Sequence, residues 1–460
     1  MRYGTPAQVN VRKKHAAVFI TVALAILAMV AALPGCDTFT HLPFWSTAQK
    51  TSPVGVTPTF ITPAPPQNKT LTPGNTPTSL SVTPAPPPLT LWLPPQFDPD
   101  GNNLAAGLLK DRLKAFSDAH GGIKIVVRIK ATSGPGGLLD ALSATSAAAP
   151  AALPNLVALS RSDLETATLK GLLYPFDGKV IASDNPDWYN YARQMAYLQG
   201  SPYGLPFAGD AMILVYRPSL NPKPPVDWNG LIQLHENGAL SFPASDPQST
   251  LTLALYESTG APIEDSQQRP TLNADAFASV LKIYASGAKE GVFPYWLTQY
   301  STDAQAWQVF QDKRVNWVVT WTSRYLSVLP PDGAILPLFS LSKTPFTLAT
   351  GWEWALVSPQ PGQRDLSTQL AEFLVDSNFL SRWTSAAGYL PTRPSALAGW
   401  SDRSLQAMLN QVVLSAQLRP SSETMLIVGP VMEDAVLQVL KGQADPTQAA
   451  QTAADHLKGQ

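Results

Sequence analysis

The residues able to do chemistry are few. The only cysteine among 460 residues is Cys36, and of five histidines just three lie beyond residue 88: His120, His235 and His456. His120 and His235 sit in turn-like surroundings and His456 near the carboxyl end, so a histidine-based triad or a zinc site is hard to assemble. No HExxH and no GxSxG run occurs. A single cysteine also excludes a disulfide framework and a CxxC redox pair. Asp98, Asp100 and Asn102 alternate like calcium ligands. However, Asn103 stands where the sixth loop position needs glycine and Leu109 where the twelfth needs glutamate. Ser133-Gly134-Pro135-Gly136-Gly137 could cradle an anion, but it lacks dinucleotide or P-loop spacing and reads as a flexible turn. Nothing calls for a cofactor or a metal. Twelve tryptophans and a scatter of acids suit recognition better than reaction.

Cys36 has its own chemistry. Arg2, Arg12, Lys13 and Lys14 precede an apolar run from Ala16 to Ala32, which ends at Leu33-Pro34-Gly35-Cys36. Basic, apolar and then small residues make a secretory signal. The cysteine at the cut resembles the lipobox of bacterial lipoproteins, in which it is diacylated and becomes the new amino terminus. Pro34 departs from the small or aliphatic residue usual there, and the competing reading is an uncleaved membrane anchor. Removing residues 1–35 leaves 28 Lys and Arg against 33 Asp and Glu, a formal charge of −5. With no basic excess, nucleic acid is excluded as a partner.

Between Asp37 and Pro88 the chain carries 12 prolines and 12 threonines and only three charges, Asp37, Lys50 and Lys69. Such a segment buries too little apolar surface to offset its ordering entropy, so it is expected to be a disordered, semi-rigid Pro/Thr-rich spacer. From Leu89 onward strands and helices alternate. Leu89–Leu93 predicts a strand. Leu104, Leu108, Leu109, Leu113 and Phe116 predict a helix over 104–119. A strand at 123–129, a helix near 137–148 and a strand at 155–159 follow. The order implies an α/β fold with a mostly parallel sheet, whose ligands sit beyond the carboxyl ends of the strands.

Six segments carry a resemblance. They are Tyr203–Phe207 with Asp210 and Met212–Tyr216; Lys223–Leu231; Val309–Trp317 running to Trp321; Thr350–Leu356; Ala371–Leu374 with Gly388–Arg393; and Val436–Gly442 with Asp445 and Pro446. In order and spacing they resemble family 1 of the extracellular solute-binding proteins that feed ABC importers, in particular its sugar-binding, maltose-binding-protein-like branch. Arg314 and Val315 depart from the small residues usual in that family. The resemblance implies the two-lobe, type II periplasmic-binding-protein fold with a hinge. Residues 89–209 and 353–388 would form lobe 1, and 212–350 with 391–460 lobe 2; 1–35 would be the signal peptide and 36–88 the lipidated cysteine and linker. It also implies solute capture without enzymatic chemistry, an ABC permease as partner and a monomer.

The same resemblance orders the site candidates. Trp321 and Trp352 lie in segments that line the family's cleft and would stack on sugar rings, the alternative being plain core packing. Asp210 and Glu353 would accept hydroxyl hydrogen bonds, or Asp210 would cap a turn near the hinge. Phe207 and Gly351 flank them. Ser160, Arg161 and Asp163 follow the third strand, where one of them could cap the next helix while its neighbour binds. Gln96 and Asp98 follow the first strand. Ser323 stands where the family often places an aromatic, leaving open whether Trp321 or Tyr325 takes that role, and Arg393 reads as a structural clamp. Trp307 and Trp383 read as helix packing. The expectation is a carbohydrate receptor, lipid-anchored outside the cytoplasm. The alternatives are a sensing or adhesion lipoprotein of the same fold, or a receptor for a peptide, polyamine or anion.

Overall fold

The computed structural model describes residues 87–176, 186–267, 269–358 and 360–458, all within the unit from Val82 to Gln460. The signal peptide, Cys36 and the linker up to residue 86 lie outside the described residues. Strand β1 (Leu89–Leu93) and the helix Leu104–Ala119 fall where the apolar spacing put them. Asn103 starts that helix by accepting from the Ala106 N–H, which satisfies one of the free donors of the first turn. Strands β2 (Ile125–Ile129) and β3 (Leu156–Ser160) flank β1 in parallel, joined through the helix Leu138–Ala148. Gly136 donates to Asp140 Oδ2 and Gly137 to the Gly134 carbonyl, so these donors of the glycine loop at 133–137 are used internally.

A small hairpin of β4 (Tyr197–Leu198) and β5 (Ser201–Pro202) precedes the long strand β6 (Leu205–Tyr216). Then come β7 (Leu240–Ser241), β8 (Trp317–Trp321), β9 (Ala334–Pro337), β10 (Thr347–Leu356) and β11 (Ala416–Leu418). Among the described residues nine strands form one sheet in the order β2-β1-β3-β10-β6-β8-β7, with β11 on β10 and β9 on β6. The sheet is mixed, not mostly parallel. Both long strands, β6 and β10, pair antiparallel with each other and with their other long neighbours, β3 and β8. A strand that leaves one half-sheet to enter the next cannot keep the βαβ sense in both, which is why the local strand–helix alternation misled.

The two long strands are what position everything else. Residues 205–208 of β6 and 352–356 of β10 belong to the half-sheet of β1–β3, while Met212–Tyr216 pairs with β8 and β9. At the passage between them Gly209 pairs with Gly351. A Cβ on Gly351 would stand 2.3 Å from the Ala208 carbonyl oxygen, and one on Gly209 1.9 Å from the Tyr191 hydroxyl. Only glycine lets the strands and the helix Asn190–Ala196 approach so closely. Around β1–β3 the core lies on both faces. Leu89, Leu91, Ala158 and Trp354 point into one cluster, and Trp92, Val157, Leu159 and Ala355 into another. A third cluster packs β8 and the second half of β6 against the helices Ala274–Lys289, Ser422–Leu440 and Pro446–Lys458.

Candidate functional site

The carboxyl ends of β3 and β8 and the middle of β6 and β10 meet at one place. Ser160 at the end of β3 is the register partner of Trp352, Thr350 is the partner of Asp210, and Met212 is the partner of Trp321. Alternation along a strand divides these residues between two faces.

On one face stand Trp352 and Asp210. Trp352 stays half-buried, its ring perpendicular to that of Phe97 with centroids 5.3 Å apart. Phe97 is set by the turn after β1 and also meets Phe207 at 5.2 Å and Tyr389 at 5.5 Å. Phe207 itself is buried, stacked on Trp354 at 4.5 Å, so it supports the shelf without being part of it. Gln96 beside it is exposed and accepts from Thr132 Oγ1 at 3.4 Å, while Asp98 is half-buried and holds the Asp100 N–H. The Asp210 carboxylate accepts from Thr322 Oγ1 (2.8 Å), the Ser323 N–H (2.9 Å) and Ser323 Oγ (2.5 Å). Burial pushes its pKa up to about 6, against the pull of these donors and with a push from Asp303. Asp210 thus caps the helix Thr322–Val328, and Ser323 is spent on that cap. Trp321 is half-buried at the end of β8. Tyr325 is buried with its hydroxyl on the Gly333 carbonyl, so of the two aromatic candidates only Trp321 keeps an accessible ring.

On the other face the groups are charged and closed in. Glu353 is 0% exposed, and neither carboxylate oxygen has a hydrogen-bond partner among the described residues. Burial drives its pKa up to about 8, with Arg161 pulling down and Glu165 pushing up. Arg161 donates from Nε to Glu165 Oε1 at 2.8 Å and from its guanidinium to the carbonyls of Met195 and Tyr197. Glu165 Oε2 accepts the Ser422 N–H at 2.9 Å, which places a carboxylate at the amino end of the helix Ser422–Leu440. Arg419 donates to Gln248 at 2.8 Å, between the charges of Glu165 and Asp246. Ser160 caps the helix Arg161–Leu169 through the Asp163 N–H, and Asp163 is half-buried with its pKa raised by burial. Arg393 pairs with Asp187 at 3.7 Å and lies over the Trp188 ring. Trp307 and Trp383 are buried in helices.

Sequence reasoning missed Glu165 and Ser422, whose bond ties the helix Arg161–Leu169 to the start of the helix Ser422–Leu440, and Gln248 and Arg419, which pair with each other. The one local signal was the four-residue spacing of Arg161 and Glu165 on a helix.

The family model for bacterial extracellular solute-binding proteins matches residues 111–407. The chain belongs to that family. As a solute-binding protein it is a receptor and not an enzyme, and the family is extracellular. Solved structures similar to this solute-binding protein include maltose-bound MalE3 of T. maritima. That match has 18% identity and a TM-score of 0.61, and covers 81% of this chain and 99% of that one. A cyclic α-maltosyl-1,6-maltose binding protein from Arthrobacter globiformis matches at 15% identity and a TM-score of 0.67, covering 82% and 99%. The sugar-binding protein MalE from Xanthomonas citri matches at 16% and 0.66, covering 81% and 97%. At these identities the likeness establishes the two-lobe binding-protein fold. Among curated proteins no match to the sequence is found.

Proposed function

We propose that this solute-binding protein captures a carbohydrate and delivers it to an ABC permease, held at the membrane by a diacylated Cys36. The observation that carries the sugar is the half-buried Trp352 beside Phe97 and Asp210, where the crossing strands meet. A tryptophan face receives the C–H patches of a pyranose, and neighbouring polar groups accept its hydroxyls. The named sugars of the similar structures point the same way. The lobes of this reading are 89–209 with 353–388 and 212–350 with 391–460, closing over the solute about β6 and β10. Asp210 acts on the site by fixing Ser323 and the helix behind it, and Trp321 offers the facing ring.

The test is calorimetric titration of the mature protein with mono- and oligosaccharides, repeated on Trp352→Ala. One-to-one binding that weakens at least tenfold in the variant supports the reading. Equal affinity in the two proteins removes Trp352 from the site.

A further inference from the structure

The helices Arg161–Leu169 and Ser422–Leu440 face each other across a cavity of about 470 Å³. That volume lies in the range of small-molecule sites. Most of its wall area is apolar, with Leu169, Leu198, Leu426 and Ile427 set among polar residues. Leu169 and Leu426 are 71% and 73% exposed, so each half of the molecule presents an open aliphatic side chain to one shared space.

Several polar groups along the same walls are already engaged, while Gln199 and Glu423 are exposed and Ser422 Oγ is buried without a hydrogen-bond partner among the described residues. Arg161 and Glu165 hold each other, and Glu165 also holds the Ser422 N–H. Thr166 Oγ1 donates to the Ser162 carbonyl at 3.1 Å and Thr168 Oγ1 to the Leu164 carbonyl at 2.7 Å, both within their own helix. No aromatic ring is among the described residues that line it. A polyhydroxylated ring placed here would find few free polar partners along mostly apolar walls, and no ring face to stack on. An alkyl or aryl group would instead be desolvated by aliphatic walls from both sides.

We propose that this cavity binds an apolar alkyl or aryl group carried by the solute. The inference rests on the carbohydrate reading in one respect: it makes the solute a glycoside whose apolar aglycone enters the cavity. The two surfaces adjoin. The helix Arg161–Leu169 is capped by Ser160, and Ser160 is the register partner of Trp352. Because the cavity has walls from both halves, an occupant there favours the closed arrangement by its differential contact with it.

The experiment titrates the mature protein with N-phenyl-1-naphthylamine, a neutral probe that fluoresces in apolar surroundings, and separately with octyl glucoside and glucose. Saturable one-to-one probe binding is expected, weakened at least tenfold in Leu426→Asp and in Leu169→Asp. Both side chains are largely exposed, so the variants should keep the wild-type melting temperature and circular dichroism. Octyl glucoside should displace the probe at a concentration at least tenfold below that of glucose. Absent probe binding, or binding unchanged in both variants, overturns the proposal. Probe binding that obeys the variants while no sugar or glycoside binds leaves the apolar site standing and refutes the carbohydrate reading alone.

Discussion

Replacing Glu353 by Gln tests the electrostatics of the crossing strands. The carboxyl is fully buried, its oxygens lack hydrogen-bond partners among the described residues, and its pKa is pushed from 4.5 to about 8, chiefly by desolvation. The folded chain therefore holds a proton that the unfolded chain releases above pH 4.5. Its contribution is fully favourable below 4.5, declines as pH rises, and levels off above 8. A displacement from 4.5 to about 8 at 1.36 kcal/mol per pH unit corresponds to about 5 kcal/mol at most. Gln keeps the shape and cannot ionise. Its amide still needs partners, at a cost of about 1–3 kcal/mol that does not vary with pH. Urea unfolding of both proteins at pH 4, 6, 7 and 8.5 reads the effect as a difference. Other buried carboxyls with raised pKa values, Asp210 and Glu257, cancel in that difference. The variant should gain on the wild type by about 3–5 kcal/mol between pH 4 and pH 8.5, with most of the change above pH 5. A difference that stays constant across that range would show that Glu353 is ionised or solvated in the folded protein, and would refute the reasoning.

Three further outcomes follow from the same contacts. Asp210→Ala leaves two hydroxyls and the Ser323 N–H of the cap without their acceptor and should cost about 3 kcal/mol in urea unfolding, so any loss of solute affinity must be read beside that loss of stability. Gly351→Ala forces a Cβ to within 2.3 Å of the Ala208 carbonyl oxygen and should destabilise by about 1–3 kcal/mol or more; wild-type stability would mean the strands have room to part. Glu165→Ala frees the Ser422 N–H and strands Arg161, and should increase the radius of gyration of the ligand-free protein in small-angle X-ray scattering; an unchanged radius would mean that the contact does not hold the halves together.

Much of the fold was legible because its signals are local. The apolar spacing of Leu104 to Phe116 and the punctuation at His120-Gly121-Gly122 fix a helix without any reference to the rest of the chain. The six family-like segments carried the architecture further than periodicity could, since nothing in β6 or β10 alone says that each serves two half-sheets. The site was legible by position and less by role. Trp352 and Glu353 are neighbours in sequence and were both read as ligand contacts, yet alternation sends one to the half-open face and seals the other against Arg161. The cap on the helix Thr322–Val328 comes from a residue 112 positions away from Thr322, and the Glu165–Ser422 bond spans 257 positions. Such pairings depend on which strands meet, and no window along the sequence contains them.

The most direct test of the account is a thermal-unfolding screen of the mature protein against mono- and oligosaccharides, amino acids, polyamines and common anions. A solute that binds only the folded state raises stability by RT ln(1 + [L]/Kd), about 2.7 kcal/mol at one hundred times Kd. The account predicts a rise in melting temperature with at least one carbohydrate and none with amines or anions. A rise confined to an amine, amino acid or anion would contradict it.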